Sequence, residues 1–342
     1  MGLISKKKIL ILVLTCGVFA ILFSIIDFRD VVSVLKRANF GYLAVALVVM
    51  FSFPLLSALR WKWIAAQVGA ELSLWDSVRI IMAAWPLGSV TPAKSGDLVK
   101  LLFLRNILPY SKTTGVILAE RLMDVVALCL YAMVMGIVMQ FFTATLIASI
   151  VLAAVFSGLF LIQTPLFNSL PAKWLNLARQ VMAATQHIFS NKTNFCLIFF
   201  ITALNWFMSF FQTWLCYRAF NSPVPLSYIL AALPIAIFVG LIPVTLSGMG
   251  TREGAVMMLF QEYASQEVNF SVGIMYSIFG YWLLTLLGIP FMNAALRGSI
   301  GGVKGEELWK SAFTDEDADL EEDPAFAPAD DSRMESPEKK ES

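Results

Sequence analysis

Residues 114–141 read TGVILAERLMDVVALCLYAMVMGIVMQF. Crossing a bilayer takes about 20 predominantly apolar residues in one helix, and this run exceeds that length. Its charges, Glu120, Arg121 and Asp124, lie near one end. Glu120 and Asp124 are four apart and share a helix face, and Arg121 and Asp124 are three apart and can pair. Charges inside a membrane are costly and usually face the bundle interior or a wet cavity. The bland alternative is an ion pair at the cytoplasmic end, snorkelling to the headgroups. The same length criterion, applied outward, gives five more runs at about 8–26, 41–59, 143–164, 195–217 and 271–296. The expectation is an all-α integral membrane protein with about six transmembrane helices.

Composition agrees. The chain has 342 residues, 58% of them hydrophobic and 14% charged, against about 45–50% and 25% in a soluble domain. The net charge of +1 hides a basic membrane part and an acidic tail. There is no nucleic-acid signal, no GxSxG, HExxH or P-loop pattern, and nothing resembling an ATPase module. Cys16, Cys129, Cys196 and Cys216 lie in apolar runs without CxxC spacing and read as packing or lipid-facing residues. The single histidine, His187, has no partner at ligand spacing, so neither a metal nor another cofactor is expected. The apolar run after Lys6, Lys7 and Lys8 is too long for a signal-peptide h-region and lacks a cleavage site. It reads as a retained first helix.

Two regions look different. Residues 77–108 are apolar but interrupted by Trp85-Pro86-x-Gly88 and Pro92, and residues 226–263 by Pro234, Pro243, Gly248 and Gly250. Both read as helix–break–helix hairpins, a form tolerated at membrane depth only inside protein or a wet cavity. A full span over 226–246 is the open alternative for the second. A short match, Val90-Thr91-Pro92-Ala93-Lys94-Ser95-Gly96 against Val244-Thr245-Leu246-Ser247-Gly248-Met249-Gly250, relates the two breaks as pseudo-symmetric halves. Paired broken segments of this kind are a sequence pointer to a transporter midplane site. Lys and Arg are concentrated in segments that would be cytoplasmic if both termini are inside, and the two hairpins then enter from opposite faces. Residues 1–305 form the membrane domain. Residues 165–193 resemble an interfacial amphipathic helix, and 306–342 an acidic, disordered cytoplasmic tail.

Three constellations could carry chemistry. In the first, Ser95 would cap a helix starting near Gly96, with Lys94, Asp97, Lys100 and Arg105 around it. A helix N-terminus beside a lysine suits a phosphate, and a basic cytoplasmic loop is the equal alternative. The second is Glu120-Arg121-x-x-Asp124, for which Lys94 or Lys100 could supply a basic partner. The third is Ser247-Gly248-Met249-Gly250-Thr251-Arg252-Glu253-Gly254. Its glycines permit a sharp turn, Thr251 could cap the following helix, and the adjacency of Arg252 and Glu253 suggests two separate partners. Arg60-Trp61-Lys62-Trp63 reads as an interfacial anchor at the end of the second span.

Together these pieces resemble a flippase-like membrane family, of the UPF0104 type, related to the transmembrane region of lysylphosphatidylglycerol synthases. The resemblance rests on Leu59-Arg60-Trp61, Thr91 to Asp97, Leu118 to Asp124 and Ile242 to Gly254, and covers about residues 5–300. The family usually has Pro-Gly-(Arg or Lys)-x-Gly-Glu at the first break, where Ala93 and Asp97 depart from it. Glu-Arg-x-x-Asp is intact. At the last motif the usual Pro-Gly-Gly-x-Gly-x-Arg-Glu keeps its Arg252-Glu253, while Leu246-Ser247 replace Pro-Gly. The resemblance implies lipid handling. A tail of about forty residues cannot build a synthase core, so aminoacyl transfer is not expected.

The resulting expectation is a lipid translocase of the cytoplasmic (inner) membrane, binding a phosphate-bearing headgroup. Lys94, Ser95, Gly96, Asp97, Lys100, Glu120, Arg121, Asp124, Gly250, Arg252 and Glu253 would form the site. The partners would be membrane lipids, with a cell-envelope synthase or a second copy as further candidates. The alternatives are a transferase using a lipid-linked donor, with Glu120 or Asp124 as base, and a non-catalytic partner of an envelope synthase.

Overall fold

The computed structural model describes residues 14–18, 20–22, 24, 28–90, 100–104, 110–161, 164, 175, 182–183, 186, 191–242 and 244–296. All regular structure among them is helical. In chain order the helices are α1 (Phe28–Lys36), α2 (Phe40–Met50), α3 (Ser52–Gln67), α4 (Leu74–Val90), α5 (Lys100–Leu104) and α6 (Tyr110–Val138). There follow α7 (Phe142–Leu161), α8 (Lys192–Ala219), α9 (Leu226–Leu241), α10 (Thr251–Leu259), α11 (Gln266–Ser277) and α12 (Leu283–Leu296). Five stretches are long and apolar enough to cross a membrane: Phe40–Gln67, Lys112–Val138, Phe142–Leu161, Lys192–Ala219 and Gln266–Ala295. They correspond to five of the six expected spans, and the chain is an all-α integral membrane protein. The remaining run, 8–26, lies mostly outside the described residues, as do the amphipathic segment and the tail. The described residues between 14 and 24 are helical, and Leu22 packs with Val31, Met257 and Phe270.

The second span is longer than expected. Pro54 has no N–H to offer the carbonyl of Met50, so the helix breaks at Phe51. It resumes at once as α3 and continues to Gln67. Arg60-Trp61-Lys62-Trp63 therefore lies inside the helix instead of at its end. The last span starts earlier than expected, at Gln266, where the Ser265 hydroxyl accepts from the Val268 N–H at 3.4 Å. This is ordinary N-cap chemistry.

Prolines do not end helices where the sequence suggested. α4 runs through Pro86 to Val90, and α9 runs through Pro234 to Leu241. In α4 the proline leaves the Met82 carbonyl without its helical donor. That carbonyl faces Gly288 of α12, where a Cβ would lie 2.5 Å from it and 2.8 Å from the Pro86 ring. The missing side chain lets α12 cross directly over the proline step. The break in the second region falls instead at 242–250.

α8 is the central strut. It lies along α2 and α3 on one side and α6 on another, and also touches α9 and α11. Two apolar clusters form around it. One contains Phe210, Tyr217, Ile229 and Phe260, the other Trp61, Ile64, Leu104 and Ile198, and Trp85 packs against both. Outward-facing α7 residues such as Phe142, Leu146, Phe156 and Phe160 are exposed, an apolar patch of the kind that marks a membrane-contacting surface. Between α11 and α12 the chain makes one π-helical turn, Ile278–Trp282. Such bulges concentrate at functional sites. Here it turns the Gly280 carbonyl toward α4, where the Trp85 indole donates to it at 3.3 Å.

The two broken regions meet. In the turn after α9, Ser247 has φ 50°, Gly248 φ 75° and Gly250 φ 86°. A Cβ on Gly248 would lie 2.3 Å from the Gly240 carbonyl oxygen, so only glycine allows this approach. The Ser247 hydroxyl donates to the Ser89 carbonyl at 2.7 Å, satisfying one of the open carbonyls at the C-terminal end of α4.

Candidate functional site

The charged residues of α6 are drawn into one network. Glu120 and Asp124, one turn apart, both face α3, and Arg60 spans them. Its Nη2 is 2.6 Å from Glu120 Oε1 and its Nη1 2.5 Å from Asp124 Oδ1. The planar guanidinium suits this double contact better than an ammonium. Lys100 of α5 closes on the other oxygen of Glu120 at 3.0 Å, with its ammonium 4.7 Å from the centre of the Trp61 ring. Arg121 reaches Asp124 Oδ2 at 3.3 Å. The Trp206 indole donates to Asp124 Oδ1 at 3.0 Å, and the Thr202 hydroxyl accepts from Arg60 at 3.4 Å. Arg60, Lys100, Glu120 and Asp124 are buried, with Glu120 fully enclosed. Arg121 is the accessible member, its side chain 33% exposed. A lone charge at the middle of a membrane helix costs about 2.5–3.5 kcal/mol on insertion scales, and here each carboxylate is held by more than one cation.

A second network closes the start of α10. Glu253 folds back so that Oε2 accepts the Gly250 N–H at 2.6 Å. Its Oε1 takes a short hydrogen bond from the Ser277 hydroxyl and lies 3.3 Å from Arg252 Nη2. Arg252 also donates to Ser277 Oγ at 2.6 Å, and its guanidinium sits 4.8 and 4.6 Å from the ring centres of Tyr276 and Tyr281. The expectation of separate partners for Arg252 and Glu253 is corrected. The backward reach to Gly250 brings the carboxylate round to its neighbour, and Ser277 ties the two together. Thr251 does not cap α10 through its side chain. Its hydroxyl donates to the Gly248 carbonyl at 3.1 Å, and the N-cap position belongs to Gly250.

Between the networks lies a cavity of about 120 Å³. Arg60, Lys100, Glu120, Arg121 and Asp124 line one side. Tyr276, Tyr281 and Trp85 also line the cavity, as do Asn205, Ser209 and Gln212 of α8. A lining that combines internally compensated cations with aromatic rings can hold a phosphate and still accommodate the apolar or cationic part of a headgroup.

Of the expected site residues, Lys100, Glu120, Arg121 and Asp124 come together at the cavity. Arg252 and Glu253 are not in its wall and stand behind Tyr276 and Tyr281, with Gly250 contributing a backbone donor to Glu253. Lys94, Ser95, Gly96 and Asp97 lie outside the described residues. Among those residues there is also no cluster of three or more metal-ligating side chains.

Two features escaped the sequence reading. Arg60, which the sequence pattern places at an interfacial anchor, is 2% exposed and is the centre of the first network. The signal was available, since Arg60 stands in a helix-forming run that Pro54 interrupts but does not end. The polar residues of α8, Thr202, Asn205, Ser209 and Gln212, recur at helical spacing within an otherwise apolar span, which is the pattern of a face turned away from lipid.

A bundle of membrane-crossing helices around a cavity lined by charged residues defines the class: a polytopic membrane protein. Residues 8–288 match the family described as the lysylphosphatidylglycerol synthase TM region, and the chain belongs to that family. It is similar to a UPF0104 membrane protein of Methanothermobacter thermautotrophicus, 22% identical over 85% of this chain and 97% of the relative. A UPF0104 membrane protein of Methanocaldococcus jannaschii is 19% identical over 83% of this chain and 94% of that protein. One from Archaeoglobus fulgidus is 34% identical over a shorter match, 33% of this chain and 35% of the relative.

Proposed function

We propose that the protein is a lipid translocase whose cavity binds the phosphate of a lipid headgroup and carries it across the cytoplasmic membrane. The observation that supports this reading most directly is the placement of Arg121, Lys100 and Arg60 around a cavity at the heart of membrane-spanning helices. Arg121 presents its guanidinium to the cavity and Glu120 and Asp124 hold it in place. A phosphate bound there exchanges water for charge-assisted hydrogen bonds, worth about 1.5–3 kcal/mol each. Lys94, Ser95, Gly96 and Asp97 lie a few residues before Lys100 in sequence and would complete the cytoplasmic side of the site. Arg252 and Glu253 would position the tyrosine wall.

In this reading both termini are cytoplasmic, the regions 77–108 and 226–263 are re-entrant and enter from opposite faces, and the two halves are pseudo-symmetric. The contact of Ser247 with Ser89 supports an arrangement in which the two breaks meet at depth. Movement follows a gradient or is coupled to an ion. The test is reconstitution of the purified protein into proteoliposomes carrying fluorescent phospholipid. Transbilayer movement well above that of empty liposomes is expected, and movement equal to that control would overturn the proposal.

A further inference from the structure

Thr202, Asn205, Ser209 and Gln212 form one stripe along α8, and the last three line the cavity. Ten residues separate the first from the last, a rise of roughly 15 Å or about half of a hydrocarbon core of about 30 Å. Three of the four have internal partners. Thr202 donates to the Ile198 carbonyl at 2.9 Å and accepts from Arg60. Ser209 contacts the Tyr276 hydroxyl at 3.5 Å. Gln212 donates to the Ala46 carbonyl at 2.7 Å. Asn205 differs. Its Oδ1 is buried and has no hydrogen-bond partner among the described residues, and its side chain lines the cavity. It stands one turn from Thr202, which contacts the charged network, and one turn from Ser209, which contacts the tyrosine wall.

A buried amide oxygen left without a donor is destabilising. An amide oxygen can only accept, so the group that relieves this cost is an O–H or N–H donor. We infer that this face of α8 is the track along which the headgroup moves, and that Asn205 selects headgroups bearing a hydroxyl or ammonium donor beside the phosphate. This rests on the headgroup reading above. Glycerol and ethanolamine headgroups carry such donors. A choline headgroup presents three methyl groups and none.

The experiment compares phosphatidylglycerol, phosphatidylethanolamine and phosphatidylcholine, both in competitive binding to the purified protein and in proteoliposome transport. One hydrogen bond of about 1 kcal/mol corresponds to roughly a fivefold preference. The first two lipids are therefore expected to bind about fivefold more tightly than phosphatidylcholine. Asn205→Leu should remove that ratio, and Asn205→Ala serves the same purpose if the leucine variant does not fold. Soluble glycerol phosphate is the competitor that separates a lipid from a free phosphate. Weak competition supports the lipid, and complete displacement of phosphatidylglycerol overturns the track. Equal binding of the three lipids, or a ratio unchanged by both variants, overturns the selector. Selective binding without transport would instead overturn the translocase reading and leave the selector standing, whereas transport without headgroup preference would do the reverse.

Discussion

At the scale of single residues the structure depends on compensation. Glu120 accepts from Arg60 and Lys100 simultaneously, at 2.6 and 3.0 Å. Removing its charge takes the carboxylate from buried Lys100 and leaves buried Arg60 with Asp124. Breaking a buried pair in this way costs about 3–5 kcal/mol. Glu120→Gln should therefore lower the melting temperature in detergent clearly, and an unchanged melting curve would contradict the network. Ser247 shows compensation of another kind. It holds φ 50° where the family pattern has glycine, and its hydroxyl binds the Ser89 carbonyl. Ser247→Ala keeps the strained backbone and loses the bond, whereas Ser247→Gly loses the bond but removes the strain. The alanine variant should be the less stable by about 1 kcal/mol, measured by thermal unfolding in the same detergent, and the opposite order would refute this account. The charged residues of α6 and α10 were legible in the sequence, because charges stand out in apolar runs. It did not show the Arg252–Glu253 pairing, which depends on Ser277, contributed from 24 residues away in the chain.

At the scale of elements the decisive contacts are close helix crossings. Gly288 sits on the Pro86 step of α4 with the Met82 carbonyl in the way of any side chain. Gly288→Ala should push α12 off α4 at a cost of about 1–3 kcal/mol and reduce the folded yield by size-exclusion chromatography. Gly158 of α7 has nothing within 4 Å of an added Cβ, so Gly158→Ala should leave that yield unchanged. A loss of yield in both variants, or in neither, would contradict this packing. Span lengths were legible because apolar runs set them. The continuations through Pro86 and Pro234 were not, since the sequence of one helix does not reveal the neighbour that accommodates its proline. Arg60 was misplaced for a related reason. The apolar run of the second span fades before its helix ends, and burial by α6 and α8 replaces lipid as the surroundings of Arg60.

At the scale of the whole molecule, helices from both halves enclose one cavity, with α8 as its wall and the two broken regions touching at Ser247 and Ser89. The family resemblance was legible in motif order and spacing. The cavity was not, because it exists only where α3, α6, α8 and the π-turn converge. The charge bias predicts that a cysteine replacing Lys340 is protected from membrane-impermeant thiol reagent in intact cells, and strong labelling from outside would reverse the topology. The central claim is that the cavity receives a lipid phosphate, and Arg121 tests it most directly. Arg121 is the accessible cation of the wall and contributes least to burying charge, so Arg121→Gln should separate transport from folding. Loss of one charged hydrogen bond of about 1.5–3 kcal/mol predicts a fall in proteoliposome lipid movement of roughly tenfold or more, with the melting temperature close to that of the unmodified protein. Unreduced lipid movement in the folded Arg121→Gln protein, measured against empty liposomes, would contradict the claim.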